Sequence, residues 1–483
     1  MADAAFSVPG GAPFSEARPA ARRWIERREE SALFWTKALV ALVLLAWGAG
    51  IVVGFQRALA FLTLVGFASA IAGLARPALG LMGIGLLCSL DGFARTLIMN
   101  EGGLLRWNTF NYWLLIVMLV NAHALLRLRD PHSRLLAAFI VVLTLGLVVS
   151  PLRSEGMETT LSIASSFGIL VYALRAAGGR NAWYGLALVT GTASAAGSLV
   201  FLLQRESFPT MNPNVWVFCP LTGIFAIALG LPAARRKASA FLLGLLGAVD
   251  LVWVYMTGSR GGIALALIAM AYVFVKLRSA PARAAALVAG VLLAGFLTAR
   301  FAGLDEYSRH RLNKAFDADT GLRERTSGRS DLMLGAFYMF VDHPLGVGTG
   351  GFSTSWAKLG IRHGMSDYAY GAAKEAHAAW AKTLAENGFP GFLLLFLYVG
   401  SFSLAAFRRR RSGARALGFL TTAVLLFAFF STEFAGKGLW LLAGSATAFL
   451  WYRPNARAPR GDSPSPAFPG IARPAPSGAG VSS

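Results

Sequence analysis

Five stretches of this chain carry residues that could do chemistry. The first is His377-Ala-Ala-Trp-Ala-Lys-Thr-Leu-Ala-Glu-Asn-Gly-Phe-Pro-Gly391, which closes the longest polar segment and leads into an apolar run. Read as a helix, His377, Trp380, Ala381 and Leu384 share one face at i, i+3, i+4, i+7 spacing. Gly388 stops that helix and Pro390 starts the next element. A lone histidine is usually a satisfied structural residue. Arginines nearby would instead keep it neutral, the form a general base needs. Two such arginines stand in Thr257-Gly-Ser-Arg260-Gly-Gly and Thr326-Ser-Gly-Arg329-Ser-Asp. Guanidinium groups bind phosphate oxygens bidentately, and glycines let a phosphate approach the backbone. The alternatives are a structural turn at Arg260 and a salt bridge from Arg329 to Asp331 or Glu324. Asp342-His343-Pro-Leu-Gly346-Val-Gly348-Thr-Gly350-Gly-Phe looks like a phosphate loop. It lacks the preceding strand and the following Gly-Lys-Ser/Thr, so it reads better as a turn back to the membrane. Asp317-Ala-Asp319 could hold a divalent cation but is more simply a turn, and the histidines lack zinc spacing.

Composition decides what must position these residues. Apolar residues make up 55% of the chain and charged residues 14%, against about 25% charge in soluble domains. Mean hydropathy is +0.56. The 483 residues are therefore spent on membrane spans of about 20 residues each. The net charge of +21 sits in short clusters between apolar runs and in the tails. That is the positive-inside pattern, and it argues against nucleic acid as a partner. Cys88 and Cys219 fall inside apolar runs and read as buried thiols. No cleavable signal is evident, so the first apolar run is expected to insert as a signal anchor.

Apolar runs lie at 38–55, 58–75, 78–98, 110–126, 135–151, 159–174, 182–203, 215–232, 239–257, 261–275, 284–299, 391–407, 413–434 and 437–452. The expected fold is all-α: a polytopic membrane protein of about 12–14 transmembrane helices with a helical cap. Basic clusters at every second loop put both termini in the cytoplasm. The opposite loops, among them 99–109, 152–158, 258–260 and 300–390, are then external. The expected organisation is a cytoplasmic arm over 1–31, transmembrane helices over 32–301, a cap over 302–390, further transmembrane helices over 391–453 and a disordered tail over 454–483. The charged stretch Arg18–Glu30, with Arg22, Arg23, Arg27 and Arg28, reads either as an interfacial segment near anionic lipid or as a solvated tail. Connections as long as 302–390 are functional or disordered, and apolar patterning at Leu332–Phe340 favours function. Asp91 and Asp250 are the acidic exceptions inside the spans, their roles open.

The ordered motifs over 239–452 resemble the O-antigen ligase/polymerase superfamily of bacterial envelope glycosyltransferases. They are Gly-Ser-Arg260-Gly, Ser-Gly-Arg329, His343-Pro-x-Gly-x-Gly-x-Gly-Gly-Phe and His377-x-x-Trp-x-x-x-Leu-x-Glu-x-Gly-x-x-Gly. The whole chain looks most like an O-antigen ligase. The resemblance implies a GT-C-like enzyme of the bacterial inner membrane with its active site facing the periplasm. It implies a donor glycan on undecaprenyl diphosphate and a lipid A–core acceptor, with no metal and no cofactor. The catalytic histidine carries over to His377 and the diphosphate-binding arginines to Arg260 and Arg329. Ala378 departs from the Asn or Ser of many relatives, and Glu433 matches a late acidic residue of some relatives poorly. An O-antigen polymerase and a protein oligosaccharyltransferase would use the same donor. A multispan transporter or flippase is the rival from another class; it should show internal repeats or midplane charges, and no convincing repeat is present.

Overall fold

The computed structural model describes residues 14–97, 108–177, 179–204, 216–234, 236–276, 295, 329–363, 376, 378–408, 412–431 and 436–452. Its helices are α1 (Phe14–Val53), α2 (Phe55–Ala72), α3 (Pro77–Leu97), α4 (Asn108–Val120), α5 (Ala122–Leu126), α6 (Pro131–Val149), α7 (Arg153–Ala164), α8 (Ser166–Ala176) and α9 (Arg180–Leu203). They continue as α10 (Phe218–Gly230), α11 (Lys237–Met256), α12 (Arg260–Lys276), α13 (Arg329–Asp342), α14 (Phe352–His363), α15 (Ala379–Arg408), α16 (Ser412–Ser431) and α17 (Lys437–Thr447). No strand occurs among the described residues. Each apolar run of the sequence meets a helix except 284–299, which lies outside the described residues but for Gly295.

Among the described residues, seven helices are long and apolar enough to cross a membrane, α7 and α8 counting as one span over Arg153–Ala176. Four shorter apolar helices accompany them. The protein is an all-α polytopic membrane protein. Burial separates rim from centre: 28% of the apolar window of α6 is buried, against 78% of that of α9. Small residues make α9 central, because they let neighbouring backbones approach. Along it, Gly185 faces Met82 of α3 and Thr36 of α1, Gly191 faces Ile227 of α10, and Gly197 faces Trp47 of α1 and Phe93 of α3.

One end of the bundle is tied by charged groups that close helix termini. The Glu29 carboxylate of α1 accepts from the backbone N–H groups of Arg180 and Asn181, both at 2.7 Å, capping α9. Asn181 Nδ2 returns a bond to the Glu29 carbonyl at 2.9 Å. Arg28 donates to the Arg175 carbonyl at the end of α8, and Arg180 Nε to Ala233 O just beyond α10. Cations at C-terminal carbonyls and a carboxylate at an N-terminus both complement helix dipoles. Arg28 and Glu29 therefore do more than face lipid or water. They join the first span to two others, and Arg180 carries the tie on to the end of α10. Glu29→Ala should lower stability by roughly 1–2 kcal/mol, the range for a lost helix N-cap, as a fall in thermal midpoint of the purified protein.

These ties also orient the far end. The α7–α8 span begins opposite the arm, and α10 starts about 24 Å from its Arg180-bound end at 1.5 Å per residue. The elements below lie at that far end.

Candidate functional site

The Arg260 turn is built by its neighbours. Thr257 ends α11, its N–H reaching Trp253 O at 3.1 Å and its hydroxyl Val254 O at 2.7 Å. Gly258 takes φ 65°, a left-handed value that closes the helix without a Cβ penalty. Ser259 N–H then donates to Thr257 Oγ1, and Ser259 O receives Ile263 N–H at 2.9 Å, opening α12. Arg260 is thus the first residue of α12, half-buried, where the partial positive charge of a helix N-terminus adds to its own. Gly262 abuts Val217 at the start of α10, which fixes this turn at the end of the bundle opposite the arm.

A second, smaller core stands at the same end. Leu332, Ala336 and Met339 of α13, at helical spacing, pack with Phe352 and Trp356 of α14. Ala376, Ala378, Ala381 and Ala385 complete it. The expected face of the 377–384 helix is seen in part: Ala381 and Leu384 are buried, and Trp380 touches both this core and the main one. Trp380 therefore joins the smaller core to the main one. His377 itself lies outside the described residues, between the buried Ala376 and Ala378. Ala378, where the resemblance leads one to expect Asn or Ser, is here part of the smaller apolar core.

The glycine-rich loop explains why this helix stops where it does. Val347 N–H donates to Ala385 O and Gly348 N–H to Glu386 O, both at 2.9 Å. Thr349 N–H donates to Gly146 O at 3.2 Å, and Phe389 N–H to Pro344 O at 3.2 Å. The Thr349 hydroxyl lies 2.8 Å from Leu143 O and 2.7 Å from Asn387 Oδ1. Glu386 accepts from Phe352 N–H at the start of α14, and Glu155 from the Ser353 hydroxyl, each at 3.3 Å. A phosphate cradle needs converging free N–H groups; those of Val347, Gly348 and Thr349 are already used. The loop is a clamp joining the α6–α7 corner to the 379–387 helix. Gly388, at φ 61° and ψ −161°, breaks α15 where the loop backbone of Pro344 and Leu345 crosses it. The helix stop read from the sequence is correct, and its cause is this crossing.

Gly348 must be glycine on two counts. Its φ is 97°, and a Cβ there would fall 2.5 Å from Ser150 Cα and 2.6 Å from Ser150 N. Gly348→Ala should therefore cost roughly 1–3 kcal/mol, the range for strained backbone, and expose the cap to limited proteolysis. Gly400→Ala, with nothing within 4 Å, is the control expected to change neither readout.

Arg329 opens α13, but its side chain lies outside the described part, as do Asp317, Asp319, Glu324 and Glu433. Among the described residues no three His, Cys, Asp or Glu side chains gather as a metal site would need. Asp250 is fully buried, with the Ser194 hydroxyl 2.9 Å from one carboxylate oxygen and 2.8 Å from the other. Gly223 leaves the room for that pair, so Asp250 joins α9, α10 and α11.

Residues 242–396 match the family model described as O-antigen ligase. That stretch is thus similar to the O-antigen ligase superfamily. It includes the Arg260 turn, Arg329, the glycine-rich loop, His377 and the start of α15, and it covers about a third of the 483 residues. No curated protein matches the chain. Sequence reading missed Thr349, Glu386, Asn387 and Gly146 as one unit. The alternating glycines were the available signal, since such a row marks close backbone approach.

Proposed function

We propose that the protein is an O-antigen ligase of the inner membrane. It transfers O-antigen glycan from undecaprenyl diphosphate to a sugar hydroxyl of lipid A–core at the periplasmic face, with both termini cytoplasmic. The family match over 242–396 supports lipid-linked glycan transfer of the O-antigen ligase/polymerase type; the donor, the acceptor and the residue roles are our assignment. The observation that carries it is that one family match covers His377 and both arginines.

His377 takes the proton of the acceptor hydroxyl as that oxygen forms its bond to the donor's anomeric carbon. The bond from that carbon to the diphosphate oxygen breaks, and undecaprenyl diphosphate leaves with the electron pair. Arg260 and Arg329 neutralise the charge that develops on it, in general the largest single contribution in such catalysis. A single displacement inverts the anomeric carbon. The two lipid substrates reach the site laterally between spans, beneath the cap.

The test is transfer by the purified protein in lipid vesicles, supplied with undecaprenyl-diphosphate-linked glycan and lipid A–core. Glycan on lipid A–core, of inverted anomeric configuration, is expected. Lengthened glycan still on its carrier would make the protein a polymerase. Vesicle-crossing donor without transfer would make it a flippase.

A further inference from the structure

Lys437 begins α17, and its side chain is fully buried. An ammonium group inside a membrane bundle is costly unless it is fully hydrogen-bonded, and such residues generally serve function. Here its Nζ donates to Ser165 Oγ at 2.9 Å, Ser162 O at 3.0 Å and Ser162 Oγ at 3.1 Å. Its backbone N–H donates to Asp91 Oδ2 of α3 at 2.9 Å. Asp91 is 1% exposed and belongs to the same network.

The position of these oxygens matters more than their number. Ser162 lies in the last turn of α7, and Ser165 is the residue at which α7 and α8 part. Gly168 N–H bonds to Ser165 O only three residues back, a tightened turn rather than continuous α-helix. One ammonium thus fixes the angle between α7 and α8. The other end of α7, about 14 Å away at 1.5 Å per residue, carries Glu155 and Gly156. Gly156 abuts the Thr349 carbonyl, and Glu155 accepts from Ser353. So α7 is a lever between Lys437 and the seat of the clamp.

We propose that Lys437 is a positioning residue for the transfer: by holding the α7–α8 break it sets where the clamp holds the 378–387 helix. This rests on the reading of His377 as the base. Misplacing a catalytic group by about 1 Å from a distance lowers rate by ~10²-fold without removing any binding group. Lys437→Met keeps the side chain's length and removes its hydrogen bonds. Ser165→Ala removes one acceptor and is the milder variant.

The experiment measures donor KM and kcat for the full chain in vesicles, on protein whose thermal midpoint is recorded alongside. Lys437→Met should lower kcat by ~10²-fold with donor KM within about twofold, and Ser165→Ala should lower kcat by a smaller factor in the same pattern. The distinguishing readout is rescue. Glu155→Cys with Ser353→Cys, bridged by a short, reducible bis-methanethiosulfonate, ties α7 to α14 independently of Lys437. Cys88 and Cys219 are both buried and should not compete. Bridging should restore kcat in either variant to within about threefold of the bridged parent, and reductant should reverse it. An unchanged kcat in both variants overturns the proposal. So does a loss that bridging fails to restore, or one that merely follows the folded fraction. His377→Ala in the same assay separates the two readings. If it retains transfer, the base assignment falls; if it is inactive while Lys437→Met is normal, only the lever falls.

Discussion

Replacing His377 with alanine should lower glycan transfer by ~10²–10⁴-fold, the usual contribution of a positioned general base, while leaving the protein folded and inserted. The expectation of intact folding comes from the neighbours. Ala376 and Ala378 are 1% exposed and already fill the cap core beside Leu332, Ala336 and Trp356. Trp380 still joins the two cores, and the clamp still holds Ala385 and Glu386 through their carbonyls. Donor KM should change little, since a base acts on the acceptor hydroxyl and not on the diphosphate. The wild-type rate should fall on the acid side of its pH profile, where protonation removes the base; what remains in the alanine variant should lack that limb. Full transfer by a stable His377→Ala protein would falsify the base assignment.

Local pattern and distant pairing divided the work of reading this fold. Helices such as α9 and α11 were legible because an apolar run of span length has only one low-energy form in lipid, where every backbone group must be bonded within its own segment. The break in α15 was legible as Gly388 and Pro390, since both act on the backbone within one turn. The clamp was not. Thr349 meets Leu143 across 206 residues and Lys437 meets Ser162 across 275, and no periodicity records such partners. Composition even misdirected the reading in places. Arg28 and Glu29, in a stretch read as solvated or lipid-facing charge, close helix ends 147 to 152 residues away. The alternating glycines resembled a phosphate loop because close backbone approach to a phosphate and to another backbone make the same demand on side-chain size. The Arg260 turn was easier, since Gly258 and Ser259 are local punctuation and the family match includes them.

Arg260→Ala should reduce kcat by ~10²–10³-fold, the loss typical of one preorganised group facing developing charge. Donor KM should rise as well, because the ground-state diphosphate is already an anion. Arg260→Lys should recover only part of the loss: lysine restores the charge but cannot make two parallel bonds to phosphate oxygens. Arg329→Ala should resemble Arg260→Ala. The double variant should lose less than the product of the two, because groups gripping one leaving group act as a unit. The turn is closed by the Thr257 and Ser259 hydroxyl and backbone bonds and by Gly258, none of which involves the guanidinium. A serine substitution therefore supplies the contrast. Ser259→Ala removes a weak 3.4 Å contact to Gly262 N–H and should cost stability of roughly 0.5–2 kcal/mol with kcat nearly intact. If Arg260→Ala instead behaved like Ser259→Ala, losing stability and keeping kcat and KM, the arginine would belong to the turn's architecture and the diphosphate would have to be held elsewhere.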